Sequence, residues 1–123
     1  MGGRGAAGGF IARIPRAEKA QIPDAKVVKY LLKPESKHYE EFVSVGYSRD
    51  DPDRLKMDLF NGLQNNEAKV YAANDRGNTS FEVDMTLGIT TKKRFRTAWQ
   101  IDKGTDFPRF ITAYRIGGKQ NEI

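Results

Sequence analysis

The hydrophobic pattern changes partway along the chain, and the change predicts helices followed by strands. Before residue 64, apolar side chains recur on one helical face, as Leu55, Leu59 and Leu63 do at a spacing of four. After residue 68, apolar and polar positions alternate, which is typical of strands with one buried and one wet side. Helices that precede an antiparallel sheet predict the α+β class, with the helices covering one face of the sheet.

Three helices are predicted, each from its own start or stop signal. The first begins at Asp24, a suitable N-cap, and ends before Pro34. The second covers residues 36–45. The third begins with Asp51 as its cap and Pro52 at its first helical position, where a proline costs no hydrogen bond.

Four strands are predicted to follow as an antiparallel meander. The clearest is "TSFEVDMTLGIT", in which five apolar residues alternate with polar ones through Ile89. The others are "AKVYAAN", "RFRTAWQI" and "RFITAYRI". The folded domain is predicted to span residues 22–116. A flexible glycine-rich tail or linker is predicted at 1–21, where "FIARIP" could add a short extended piece, and a C-terminal tail at 117–123.

The last predicted strand has two mixed faces, so its orientation stays open. If Ile111 and Ala113 point to the core, then Thr112 and Tyr114 face outward together. In the opposite orientation Tyr114 is a core aromatic residue.

Composition narrows the chemistry that the chain can perform. The net charge of +5 favours acidic partners such as nucleic acid or an acidic inhibitor protein, although many small domains carry such charge for solubility alone. The chain has no cysteine and one histidine, which excludes disulfides and thiol nucleophiles and argues against a zinc site. No apolar run approaches the roughly 20 residues that span a bilayer. We therefore expect no metal, no cofactor and no membrane partner.

Lys37 and His38 form the basic pair on which we centre the chemistry. An isolated surface histidine is more often incidental than catalytic, and that alternative stays open. An enzyme of this composition needs metal-independent chemistry, and RNA cleavage meets the requirement because the substrate supplies its own nucleophile, the 2′-hydroxyl. The protein then has to provide only a base, an acid and positive charge at the phosphate.

A second group of cations lies in "TTKKRFRTAW", where four basic residues surround Phe95. Cations beside an aromatic ring can hold phosphates and stack a base. The alternative is a solvated hairpin whose charges discourage aggregation. The candidate substrate-binding residues of the last two strands are Arg94, Arg96, Trp99 and Arg109.

Two segments together resemble a known family across residues 22–116. The opening of a small toxin domain resembles the first segment, "IPDAKVVKYLLKPESKHYEEF". Its closing strands resemble the second segment, "FRTAWQIDKGTDFPRFITAY". That domain occurs at the C-termini of bacterial and phage polymorphic toxins. Its layout is similar to the barnase, EndoU, colicin and RelE-like ribonuclease superfamily, which implies helices packed on a four-stranded antiparallel sheet.

The resemblance also implies an activity and a site. The activity is metal-independent cleavage of RNA, commonly tRNA, in the bacterial cytoplasm, by an effector delivered from a larger secreted or phage protein and neutralised by an immunity protein. The Ser-Lys pair of the family falls on Ser36 and Lys37, and its final threonine on Thr112, with Tyr114 beside it. With His38, the candidate catalytic residues are Lys37, His38, Thr112 and Tyr114.

The chain departs from that family at one place. It lacks the His-Pro-Val-Gly stretch that precedes the Ser-Lys pair, so either His38 substitutes for the missing histidine or this copy is inactive. The alternative function is a non-catalytic module of phage origin that binds nucleic acid or another protein.

Overall fold

The secondary structure follows the predicted order of helices and then strands, with one additional strand at the start. A computed structural model describes residues 9–71 and 73–117. The helices are α1 (Asp24–Lys26, continued by a π-helical turn at Val27–Leu31), α2 (Tyr39–Val43) and α3 (Pro52–Asn65), with a 3₁₀ turn at Ala17–Lys19. The strands are β1 (Gly9–Ile11), β2 (Ala68–Tyr71), β3 (Thr79–Leu87), β4 (Lys93–Ile101) and β5 (Arg109–Arg115).

The strands form one antiparallel sheet in the order β1-β2-β3-β4-β5, so the α+β class is confirmed. The predicted count of four strands is wrong, because Phe10 of the "FIARIP" segment pairs with Lys69 of β2. The predicted tail at 1–21 is also corrected, because Ile14 and Ala17 of this segment lie buried in the core. Residues 1–8 and 118–123, the remainder of both predicted tails, lie outside the described residues.

The core lies between the sheet and the helices. Alternation along β3 buries its apolar side chains, as predicted. The inward set of β3 and β4 is Phe81, Val83, Met85, Leu87, Phe95, Thr97 and Trp99. The face of α3 formed by Leu55, Leu59 and Leu63 is fully buried. The opposite sheet face carries polar, partly exposed side chains, among them Glu82, Asp84 and Arg96.

A β-bulge in β5 decides which of its residues face outward. Trp99 pairs with Phe110 and the preceding Ala98 pairs with Thr112, which leaves Ile111 as an extra residue without its own partner. The bulge breaks the strict alternation on which the sequence prediction was based.

As a result, Phe110 and Ala113 both point to the core and are buried. Thr112 and Tyr114 share the outer face, where Tyr114 lies opposite Arg96 of β4. The outward placement of Thr112 and Tyr114 agrees with the first of the two orientations considered, but Ile111, expected in the core in that orientation, is the bulged residue and only partly buried.

The free edge of β5 is covered by the segment that contains α1 and α2. The main chain of Gln21 exchanges two hydrogen bonds with the start of β5. Further along, the Lys26 ammonium donates to the Ile111 carbonyl oxygen at 3.1 Å. The Arg115 amide donates to Glu41 Oε1 at 2.9 Å. These contacts occupy main-chain groups that an edge strand otherwise exposes.

Two helix starts differ in detail from the prediction. Pro23 rather than Asp24 is the N-cap of α1, and the Asp24 carboxylate accepts a hydrogen bond from Lys56 at 2.6 Å. Asp51 and Pro52 do begin α3 as predicted, but the Asp51 side chain makes no capping hydrogen bond. None of the helices in the described ranges is long and apolar enough to cross a bilayer.

Strand β3 ends earlier than the alternation predicts, because the chain turns at Gly88. Gly88 has a φ of +143°, and a Cβ there would collide with the Thr91 carbonyl oxygen. The turn carries Ile89 out of the sheet, and its side chain is exposed. Only glycine fits this backbone without displacing the next loop.

Gly88→Ala is expected to lower the free energy of unfolding by more than about 2 kcal/mol, since it adds a backbone collision to an unfavourable φ. The matched control is Gly104→Ala, where φ is +88° but no atom lies within 4 Å of the new Cβ. That variant should lose only about 1 kcal/mol. Urea denaturation of both proteins measures the difference, and equal losses would contradict the close approach at Gly88.

Candidate active site at the edge of the sheet

A cavity of about 330 Å³ lies where the end of the first helix and the following loop meet β5. We call it the edge cavity. Its lining residues are Tyr30, Leu31, Ser36, Lys37, His38 and Thr112. The cavity therefore brings together three of the four predicted catalytic residues, which are separated by up to 75 positions in the sequence.

Local helix geometry shapes one wall of the edge cavity. Leu32 donates its amide to the Val27 carbonyl at 2.8 Å, a bond over five residues that widens the turn. Such π-helical turns are rare and frequently occur at functional sites. This one presents Tyr30 and Leu31 to the cavity. The chain then turns after Lys33, and this turn places the following basic pair at the opening of α2.

The His38 ring is held by contacts on two sides. Its Nδ1 lies 3.0 Å from Glu41 Oε1, the same oxygen that accepts the Arg115 amide. An ionised carboxylate only accepts hydrogen bonds, so Nδ1 carries the proton and Nε2 of the neutral ring keeps its lone pair. The ring also stacks on Tyr114, with centroids 5.7 Å apart and planes 28° apart. The Glu41 carboxylate and the Tyr114 ring thus fix the orientation of the His38 imidazole.

Tyr114, the fourth predicted catalytic residue, does not line the edge cavity, but it stacks against His38, which does. Its cross-strand partner Arg96 makes two hydrogen bonds to the Asp84 carboxylate, at 2.9 and 3.1 Å, and lies 3.9 Å from Glu82. The hydrogen bond to Asp84 raises the pKa of Arg96. The charge of Arg96 is therefore already balanced by carboxylates before any substrate binds.

None of the three predicted phosphate-binding arginines lines the edge cavity. Arg109 makes two hydrogen bonds to the Asp102 carboxylate, at 2.9 and 3.1 Å. These bonds raise the pKa of Arg109 and lower that of Asp102, whose carboxylate also accepts a hydrogen bond from Gln100. Arg94 is exposed and donates to the Thr86 hydroxyl at 3.0 Å.

A second cavity, of about 370 Å³, contains Arg94 and Arg96 on the outer face of the sheet. Its lining also includes three carboxylates, those of Glu67, Glu82 and Asp84. Carboxylates repel phosphate, so we expect this cavity to bind phosphate more weakly than one lined by arginines without carboxylates.

Trp99 is corrected as a substrate-binding candidate. It is only 1% exposed, packs edge-on against Phe110, and donates Nε1–H to the Thr97 hydroxyl at 2.7 Å. Thr97 in turn donates to the Val83 carbonyl at 2.7 Å. A buried indole cannot stack on a base, so Trp99 belongs to the core.

Three residues of this region were not predicted from the sequence as part of a site. Glu41 was not predicted as a site residue, although its position three residues after His38 places both on one helix face. Lys26 and Tyr30 lie in the opening segment that carries the family resemblance, but no role in a site was assigned to them. Within the described ranges, no group of three or more His, Asp or Glu side chains is placed to hold a metal ion.

The fold and the cavity define an α+β domain with a polar site at the edge of an antiparallel sheet. The chain matches the family model described as "Domain of unknown function (DUF6883)" over residues 13–117, and it belongs to that family. No curated protein and no solved structure matches the chain. The family description assigns no activity, so a function has to be derived from the site.

The Asp102–Arg109 pair is expected to make stability depend on pH in the acid range. The pKa of Asp102 is lowered by folding, so its contribution is present above the unfolded value of about 3.9 and is lost as pH falls through the folded value. Asp102→Asn should be less stable than the wild type at pH 7, and its stability should fall less steeply below pH 4.

Urea denaturation between pH 7 and pH 2 measures this dependence. Asp75→Asn, in the exposed β2–β3 turn, is the matched control and should follow the wild-type curve. An Asp102→Asn curve parallel to that of the wild type would rule out the pair as a source of acid sensitivity.

Proposed function

We propose that this protein is a toxin-type, metal-independent endoribonuclease, with tRNA as the expected substrate. The observation that carries the proposal is the convergence of Lys37, His38 and Thr112 on one cavity, with Tyr114 stacked against the histidine. Cleavage by the substrate's own 2′-hydroxyl needs a base, an acid and a positive charge, and this set of side chains offers each of them.

In the proposed reaction His38 Nε2 takes the proton of the 2′-hydroxyl as the 2′-oxygen bonds to the adjacent phosphorus. The bond from phosphorus to the 5′-oxygen of the next nucleotide breaks, and the Tyr114 hydroxyl supplies the proton to that oxygen. The products are a 2′,3′-cyclic phosphate and a free 5′-hydroxyl, and both side chains recover their protonation states from solvent.

The remaining groups act by charge and position. The Lys37 ammonium stabilises the negative charge that accumulates on the phosphoryl oxygens in the transition state. Thr112 offers a hydroxyl on the outer face of β5 to position the phosphate. Glu41 stabilises the imidazolium that forms on His38 and holds its ring orientation, as the third member of a nucleophile–base arrangement does.

The biological setting of the proposal follows from the resemblance and the charge. The domain acts in the bacterial cytoplasm as an effector delivered from a larger secreted or phage protein. The net charge of +5 suits both RNA and an acidic immunity protein that blocks the domain in the producing cell. Growth arrest on expression, relieved by a neighbouring reading frame, is the corresponding observation in cells.

Lys37→Ala and His38→Ala are expected to slow cleavage of total tRNA, assayed with EDTA present. Loss of a general base typically costs about 10²–10⁴-fold, and loss of a charge at the transition state about 10²–10³-fold. The matched control is Lys33→Ala, an exposed lysine in the same loop that does not line the cavity. Product ends should be 5′-hydroxyl and 2′,3′-cyclic phosphate.

Two results would decide against the proposal. Wild-type protein that leaves tRNA intact at every dose would refute the enzyme. Lys37→Ala that cuts as fast as Lys33→Ala would refute the role of Lys37. Salt-sensitive RNA binding without products would favour the alternative, a non-catalytic module, since its affinity rests on phosphate contacts.

Tyr114→Phe separates protonation of the leaving group from stacking on His38. Phenylalanine keeps the ring but removes the hydroxyl, so cleavage should slow by about 10²-fold or more. A substrate with sulfur in place of the scissile 5′-oxygen has a leaving group that needs no proton. It should restore the rate of Tyr114→Phe but not that of His38→Ala. If the sulfur-containing substrate does not restore the cleavage rate of Tyr114→Phe, Tyr114 is not the general acid.

A further inference from the structure

Tyr30 presents an exposed aromatic ring to the edge cavity. The residue is 56% exposed and lies in the π-helical turn. The Lys26 ammonium lies 5.1 Å from the ring centroid and is itself fixed by its hydrogen bond to the Ile111 carbonyl. A cation tied to the sheet therefore holds one face of the ring. Because so much of Tyr30 remains exposed, the rest of the ring is open to a ligand.

Ser36 supplies an unexplained polar group in the same cavity. Its hydroxyl oxygen is shielded from solvent and has no hydrogen-bond partner among the described residues. A buried hydroxyl without a partner is unfavourable, and each such group in a native structure calls for an explanation. Ser36 also lines the cavity, so its unpartnered hydroxyl belongs to a residue in contact with that space.

The size of the cavity limits what can bind between these two groups. A volume of about 330 Å³ is at the low end of the range of about 300–1,000 Å³ for small-molecule pockets. That space suits one nucleotide rather than a duplex. A base that stacks on a side chain must also leave its own helix, which restricts the ligand to an unpaired position.

We propose that the edge cavity is a recognition site for one unpaired nucleotide, whose base stacks on Tyr30 and whose polar edge hydrogen-bonds the Ser36 hydroxyl. The choice of a nucleotide as the ligand rests on the proposed function. Because Ser36 is adjacent to Lys37, the recognised nucleotide lies next to the scissile phosphate. The site thus selects cleavage positions in RNA loops.

The test is equilibrium binding of the four nucleoside 3′-monophosphates, measured by titration calorimetry. Tyr30→Ala should weaken binding by about 5–100-fold, the equivalent of about 1–3 kcal/mol for one stacked base. Tyr30→Phe should bind nearly as the wild type does, because the ring is kept. Met57→Ala, which removes an exposed apolar side chain of α3 that lines neither cavity, is the control and should not change the affinity.

Ser36→Ala tests the second contact. Loss of one hydrogen bond should weaken some bases more than others and so reduce the preference among the four nucleotides, while stacking on Tyr30 is retained. Equal weakening of all four, or no change, would overturn the assignment of Ser36 as the group that reads the base.

The outcomes separate this inference from the ribonuclease proposal. If binding depends on Tyr30 while the wild type leaves tRNA intact, the nucleotide site stands and the cleavage proposal fails. If tRNA is cut, but Tyr30→Ala binds all four nucleotides as tightly as the wild type and cuts the same positions, the inference fails and the ribonuclease stands. Wild-type protein that binds none of the four at millimolar concentration also refutes the inference.

Discussion

The rest of the structure depends on one constraint: the main-chain donors and acceptors along the free edge of β5 need hydrogen-bond partners. An outer strand has main-chain donors and acceptors with no neighbouring strand, and such groups invite pairing with other chains. Here Lys26 and Glu41 bind those groups directly. The same two side chains fix the Tyr30 ring and the His38 imidazole. The contacts that close the sheet are therefore also the contacts that orient the cavity, so stability and site geometry are not independent.

Much of the fold could be predicted because β3 and β4 alternate strictly and because Gly77, with a φ of +85°, suits the turn that precedes them. Two features could not. Strand β1 is three residues long and carries no alternation of its own, so only its pairing with β2 defines it. The orientation of β5 depends on a bulge at Ile111, which adds a residue without changing the local composition.

The site was predicted in part, and its gaps have a physical origin. Lys37 and Thr112 were reached through a sequence resemblance, and they do line one cavity. Trp99 was misplaced because a Trp-containing motif does not reveal which face of the strand it occupies, and here that face is buried. The role of Glu41 depends on a main-chain amide 74 residues away, a contact that no local pattern encodes.

The distance along the chain between the two walls of the cavity has a consequence for biosynthesis. One wall comes from the first helical segment, and the other from β5, the last strand of the described residues. Contacts so far apart in sequence form late, after local helices and hairpins. A polypeptide still attached to the ribosome, with β5 inside the exit tunnel, therefore has neither a fixed imidazole nor a complete pocket. The cavity is therefore complete only after β5 has left the exit tunnel.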